Sequence, residues 1–334
     1  MCFHNPVLSL YFLSHFSDTI KEIDRNTFYG KKIAVDISIL IYQVVIASKN
    51  HESKLTSKTG EMVSHILGLF NKTIFFLDKG IIPIYVFDGK PPKIKEKIIQ
   101  LRKNNKLKAL EKLNNVLTST DKIKYLKKSV WITKAQMNQC RELLILMGIP
   151  YIDAPEEADS QLSYLCKTNM VYAVLTEDMD ILTFGSPIII RNFISNHKNP
   201  IQITLNTILN KLNLSYNQFI ELCILFGCDY CYHIKNIKPN DIYNIYIKTK
   251  SIEKTLDELK NMGYNIGDNY DYTNAIQYFI NASHIHIEEN QLELNKPNID
   301  KLFNLLVNKY NLNKYIINIK LNRLNIYYNN LKSI

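Results

Sequence analysis

Apolar positions follow two rhythms along this chain. Short unbroken runs cover Lys31–Asp36, Ile81–Phe87, Pro150–Ile152, Val171–Leu175 and Ile188–Arg191, each bounded by Gly, Pro or charged residues. That pattern predicts strands buried on both faces. Between them the apolar residues recur every three or four positions, which predicts helices over Ser38–Ala47, Met62–Lys79, Thr133–Met147 and about Glu157–Thr168. Gly80 reads as the C-cap of the second of these. Strands alternating with longer helices predict βαβ units and a mostly parallel sheet. Ser53–Gly60 is polar and reads as a loop. After Ile203 the chain reads as helical, most regularly over Tyr216–Gly227, and the last seventy residues read as irregular helices.

Lys93–Lys128 breaks the rhythm. It is crowded with lysines, among them Lys103, Lys106, Lys108, Lys112, Lys122, Lys124, Lys127 and Lys128. It reads either as one or two helices off the main body or as a disordered basic segment.

At 334 residues with 46% hydrophobic and 22% charged positions, the chain has ample material for a core. Lys and Arg number 41 against 31 Asp and Glu, a net charge of +10, and the surplus favours a polyanionic partner. Six scattered cysteines argue against a disulfide framework and for a reducing, intracellular compartment. No run approaches the ~18 apolar residues needed to span a bilayer, and Met1–Phe16 lacks the basic start of a signal peptide.

Carboxylates cluster at the ends of the strand-like runs: Asp36, Asp88, Glu157 with Asp159 after Pro155, and Asp178 with Asp180. Sites in open α/β sheets form beyond the carboxyl ends of the strands, so these acids predict one shared pocket. Crowded carboxylates raise one another's pKa unless cations neutralise them. Hard, oxygen-seeking ions such as Mg²⁺ satisfy that need.

The segments Gly30–Ser38 with Ile41-Tyr42-Gln43, Tyr85–Pro92, Met147–Pro155, Thr176–Asp180, Thr183–Pro187 and Leu222–Tyr230, in that order, resemble the flap endonuclease branch of the 5′ structure-specific nucleases (the flap endonuclease and XPG superfamily). The similarity runs from about Ile20 to about Leu259. It implies an α/β, PIN-like nuclease fold: a mostly parallel central sheet flanked by helices, with a helical gateway insertion and a helix-hairpin-helix-type region. Residues 1–230 would form the nuclease core, with the gateway at about 93–130, and residues 231–334 the helical DNA-binding part and C-terminal helices packing on the core. It also implies two divalent ions, Mg²⁺ with Mn²⁺ able to substitute, held by Asp36, Asp88, Glu157, Asp159, Asp178, Asp180 and Asp229. Lys95 and Arg102 match the gateway cations that hold the scissile phosphate, and Tyr42 matches an aromatic on which a base stacks. Lys90 and Lys93 are candidate DNA contacts beside them. The implied activity is 5′-flap endonuclease and 5′→3′ exonuclease action on flapped, nicked or branched DNA in replication, repair or recombination. A monomer is expected, in the nucleus of a cell or at a cytoplasmic replication site of a virus.

Several positions depart from that pattern. Glu157-Ala158-Asp159 carries an aspartate where the family has a second glutamate. On a regular helix residues two apart point about 200° apart, so the pair must straddle a helix start, and the shorter Asp159 is expected to reach a metal through water. The hairpin stretch Asn236–Asp241 has lost both glycines and carries Asn240 and Asp241 in place of basic residues, which predicts a weaker grip on duplex. The chain begins Met1-Cys2-Phe3-His4-Asn5 rather than Met-Gly, and no sliding-clamp peptide precedes Ile334, so clamp recruitment by that route is not expected. Cys228 and Cys231 with His233 lack a second ligand pair and read as packing rather than zinc, and His65 reads as an ordinary core or surface residue. The competing reading outside catalysis is a DNA-binding scaffold that keeps the fold. A recombination nuclease and an RNA substrate also remain open, and the Asn- and Ile-rich drift points to an AT-rich genome.

Overall fold

The computed structural model describes residues 17–49, 60–114, 121, 125, 129–195, 198–231, 234, 236–267 and 270–331. Met1–Asn5, most of the Ser53–Gly60 loop, Lys122, Lys124, Lys127, Lys128 and His233 lie outside the described residues.

Alternation along the apolar runs builds the sheet. Ile33 and Val35 face one layer of helices and Ala34 the other, as the two-residue period of a strand dictates. Among the described residues there are seven strands: β1 Ile20–Glu22, β2 Lys32–Asp36, β3 Ile82–Phe87, β4 Tyr151–Asp153, β5 Ala173–Leu175, β6 Ile188–Arg191 and β7 Ile201–Thr204. Their order is β1-β7-β6-β5-β2-β3-β4. The β2–β3, β3–β4, β2–β5 and β5–β6 pairs are parallel, with Asp36 opposite Val86 and Val35 opposite Leu175. The two outer pairs, β6–β7 and β7–β1, are antiparallel.

The helices are α1 Ile37–Lys49, α2 Ser64–Asp78, α3 Glu96–Asn114, α4 Lys134–Met147, α5 Ala158–Lys167, α6 Asp180–Thr183, α7 Leu205–Leu212, α8 Tyr216–Phe226, α9 Pro239–Thr249, α10 Ile252–Asn261, α11 Tyr272–Asn281, α12 Ile299–Phe303 and α13 Lys314–Leu331. A π-helical turn, Asn304–Lys309, joins α12 toward α13. Thr133 and Ser215 start α4 and α8 with reciprocal capping boxes, which satisfy otherwise orphaned backbone donors. Helix α4 ends at Gly148, whose φ of +70° suits a residue without Cβ and turns the chain into β4.

Two apolar cores lie on the two faces of the sheet. One joins Ala34, Ile84 and Val86 to α5, α8 and the α9–α11 helices. The other joins Ile33, Val35, Tyr85 and Phe87 to α1, α2 and α4, and the chain returns there late through Leu302, Leu306, Leu321 and Leu324. The strand order reverses direction between β2 and β5: β3 and β4 extend from one side, β6 and β7 from the other. Such a switch point opens a crevice at the carboxyl ends of the parallel strands.

Candidate active site

That crevice is where the acids gather. Strand β2 delivers Asp36, whose Oδ1 accepts from the Ile39 backbone N at 3.1 Å, in the first turn of α1. Asp88 follows β3 directly. Its Oδ2 accepts from Ser38 Oγ at 2.6 Å and its Oδ1 from the Ala158 backbone N at 3.0 Å, so it ties the starts of α1 and α5 together. Gly89 lets the two loops close: its N donates to Glu156 O at 2.6 Å, and a Cβ there would lie 2.1 Å from Ala154 O. Glu157 is the N-cap residue of α5 and Asp159 lies in its first turn, so the pair does straddle a helix start. Beyond β5, Asp178 N donates to Thr176 Oγ1 and Asp180 N donates to Asp178 Oδ1, both at 2.9 Å. This local turn leads into α6, which Asp180 begins, and both aspartates line the same cavity. Asp229 arrives from the far side, after Gly227 ends α8.

All seven line one cavity of 290 Å³. Two cations close it, Lys95 from the 3₁₀ turn Lys93–Lys95 that leads into α3 and Arg102 from α3 itself. Lys95 Nζ sits 2.5 Å from Glu157 Oε1 and 2.9 Å from Asp229 Oδ2, and Arg102 Nη2 sits 2.6 Å from Asp229 Oδ1. Tyr230 donates its hydroxyl to Glu157 Oε2. Two cations against seven carboxylates leave a strong negative surplus, and the protonation behaviour reflects it. Burial, then the Asp88 charge, pushes Asp36 up to about 8. Burial, then Asp229, pushes Asp180 up to about 7. Burial and neighbouring acids also hold Asp159 and Asp178 well above the usual carboxylate range. Burial opposes the charge on Lys95, yet Glu157 and Asp229 hold its pKa above the usual lysine value.

The donor set consists of hard carboxylate oxygens with more charge than the local cations balance, which fits divalent magnesium or manganese rather than softer metals. Among the described residues no three acidic, histidine or cysteine side chains already stand where they could hold one ion; Lys95 lies between Glu157 and Asp229.

The XPG N-terminal domain matches residues 7–109 and the XPG I-region residues 148–229, so five of the seven acids fall in the second segment and two in the first. Flap endonuclease 1 of Ovis aries is 39% identical over 289 residues, covering 85% of this chain and 76% of that protein. The Aedes aegypti flap endonuclease 1 is 40% identical, covering 86% and 77%. The chain belongs to the flap endonuclease family. Flap endonuclease-1 from Methanococcus jannaschii matches its structure with a TM-score of 0.72 at 30% identity, over 95% of this chain and 99% of that one. The catalytic core of Rad2 in complex with DNA substrate shares the fold, with a TM-score of 0.72 at 24% identity.

Other residues singled out from the sequence fare differently in this flap endonuclease homologue. Tyr42 lies on α1, is 3% exposed and packs in the core. The apolar spacing of α1 turned it inward, one turn beyond the cavity-lining Ser38 and Ile39. Lys90 and Lys93 are exposed and border a neighbouring groove with Asn274, Gln277 and Asn281 of α11. His65 is buried, with Nε2 2.7 Å from Gln139 Oε1, as a core residue. Cys228 and Cys231 face each other across an isolated bridge on either side of Asp229. Asn236 takes φ +63°, a left-handed conformation that Asn tolerates better than most residues, so the turn keeps a shape glycine would adopt. Asp241 lies in the first turn of α9. Trp131, which the sequence did not single out, and Lys106, which it gave only as one lysine of the basic segment, also line the cavity. Lys106 reaches it on α3, and Trp131 from the stretch that leads into α4.

Among the described residues no helix is long and apolar enough to cross a membrane.

Proposed function

We propose that this chain is a structure-specific 5′ nuclease that hydrolyses phosphodiester bonds where single-stranded 5′ flaps leave duplex DNA, with two Mg²⁺ ions as its cofactor. One observation carries the reading: seven carboxylates brought from distant parts of the chain meet, in a single cavity, the cations Lys95, just before α3, and Arg102, on it. A scaffold that only bound DNA would gain nothing but repulsion from those acids.

Asp36, Asp88, Glu157, Asp159, Asp178, Asp180 and Asp229 would hold the ions, Asp159 with its shorter reach through water. Bound there, divalent ions supply Lewis acidity, making a water a stronger nucleophile and stabilising the departing oxygen. The chain's own residues do the positioning. Asp88 fixes the α1 and α5 starts relative to each other, and Tyr230 holds Glu157 in place. Lys95 and Arg102 occupy the roof of the cavity, where a phosphate entering from α3 meets both, and their charge balances that phosphate once cations take over the carboxylates. The exposed Lys90 and Lys93 lie along the approach and draw the backbone in. The enzyme would act as a monomer on flapped, nicked or branched DNA during replication, repair or recombination.

The test is cleavage of an end-labelled 5′-flap DNA, with a nicked duplex alongside, in Mg²⁺ and in EDTA. Cutting at the flap junction only with the metal is the expected result. DNA binding without cutting on either substrate would overturn the reading in favour of a scaffold.

A further inference from the structure

Trp131 is the single tryptophan of the chain, and it is not in a core. It is 56% exposed, yet it lines the same cavity as the seven acids. Lys106 Nζ lies over its ring, 4.9 Å from the centroid. The neighbours explain its placement. Ile99, Arg102, Lys103 and Lys106 line the cavity at spacings of three and four residues, so one face of α3 looks into the site. Arg102 sits deep, on Asp229. Lys106 lies one turn further, ~6 Å along the axis, and Trp131 stands beside it. That offset spans roughly one to two stacked nucleotides at ~3.4 Å each.

We infer that Trp131 is a stacking platform for an unpaired base of the flap, next to the nucleotide whose phosphate meets Lys95 and Arg102. Aromatic rings flanked by cations are the recurring means of holding single strands without reading sequence, because every base offers a π-face while the backbone phosphates follow the positive charges. Here Lys103 and Lys106 supply the charge and Trp131 the ring. Tyr42, buried as it is, leaves the cavity mouth without another exposed aromatic among the described residues that line it. Trp131 is thus a positioning residue: it sets which nucleotide reaches the carboxylates. This inference rests on the flap-nuclease reading.

Because no other tryptophan is present, the intrinsic emission reports on this ring alone. The experiment titrates wild type, in EDTA to prevent cutting, with a 5′-flap DNA and with the same DNA carrying abasic sites in the flap nucleotides nearest the junction. Quenching by the normal flap and little by the abasic one is expected. Trp131→Ala and Trp131→Phe are then compared on both substrates in Mg²⁺. Trp131→Ala should weaken KM for the normal flap by roughly 5- to 150-fold, Trp131→Phe should restore most of it, and the abasic flap should respond to neither change. Equal quenching by both flaps, or equal losses on both, would overturn the inference. If wild type cuts no flap at all, the functional reading fails instead, while the emission still tells whether a base sits on the ring. Should the alanine variant fail to fold, the wild-type titrations decide alone.

Discussion

Replacing Lys95 with Met removes a charge while keeping the side chain's length and apolar stem. The Lys95 side chain is 10% exposed and bridges Glu157 and Asp229, which are 11% and 20% exposed. Breaking a buried pair by deleting one partner costs ~3–5 kcal/mol. Two features pull the figure down here. Arg102 still holds Asp229 and Tyr230 still holds Glu157, and a stranded carboxylate can take up a proton. About 2–3 kcal/mol is therefore expected in EDTA near neutral pH. With an unfolding entropy of ~2.1 cal/mol/K per residue over the 334 residues, the melting temperature should fall by about 3–4 °C. In saturating Mg²⁺ most of that difference should vanish, because divalent ions supply the missing countercharge. Cleavage should nevertheless drop ~10²- to 10³-fold, the usual loss when one preorganised donor is removed from a transition state. Thermal melts of both proteins in EDTA and in Mg²⁺ are the assay. An equal drop under both conditions, or none in EDTA, would refute the idea that Lys95 acts as the cluster's internal countercharge.

The raised carboxylate pKa values carry a pH signature. Asp36 near 8 and Asp180 near 7 stand above their unfolded values of ~3.9, so their stabilisation is present in full below that pH and lost as pH climbs through 7 and 8. Melts in EDTA from pH 5 to 8.5 should show a falling melting temperature that Mg²⁺ flattens, and a rise would contradict the cluster's electrostatics. Gly89→Ala places a Cβ against Ala154 O and Pro155 O; the forced shift should cost about 1–3 kcal/mol and lower cleavage by pulling Asp88 from the Ala158 amide. Unchanged stability and rate would show that the loops yield freely. Asp241→Arg should tighten duplex binding and steepen its salt dependence by a slope of ~0.9 per added phosphate contact, and identical slopes in the two proteins would exclude α9 from the duplex interface.

The site was legible because strands and acids share a simple grammar. Each parallel strand reads as an apolar run, and Asp36, Asp88 and Asp178 follow those runs within a few residues. Ile188–Arg191 appears as a strand with the bounds its sequence suggested. The antiparallel strands β1 and β7 were not legible: three and four residues long, they exist only by pairing with each other and with β6. Ile201–Thr204 leads straight into α7 and reads as part of it. The gateway left two readings open because its lysines give no apolar period, and α3 forms over Glu96–Asn114 while its Ile99–Lys106 face borders the site. The burial of Tyr42 was not legible because a residue's place in a motif does not reveal which way its helix turns it. Trp131 escaped notice because nothing within its own segment marks it; its importance comes from α3 crossing above.

Manganese titration followed by electron paramagnetic resonance, on wild type and Asp180→Asn, tests the seven-carboxylate centre most directly. Two saturable ions in the wild type are predicted, with weakened binding in Asp180→Asn and a parallel loss of flap cleavage of ~10²-fold or more. A wild type that binds no manganese in this cavity, or an Asp180→Asn protein that binds and cuts as the wild type does, would contradict it.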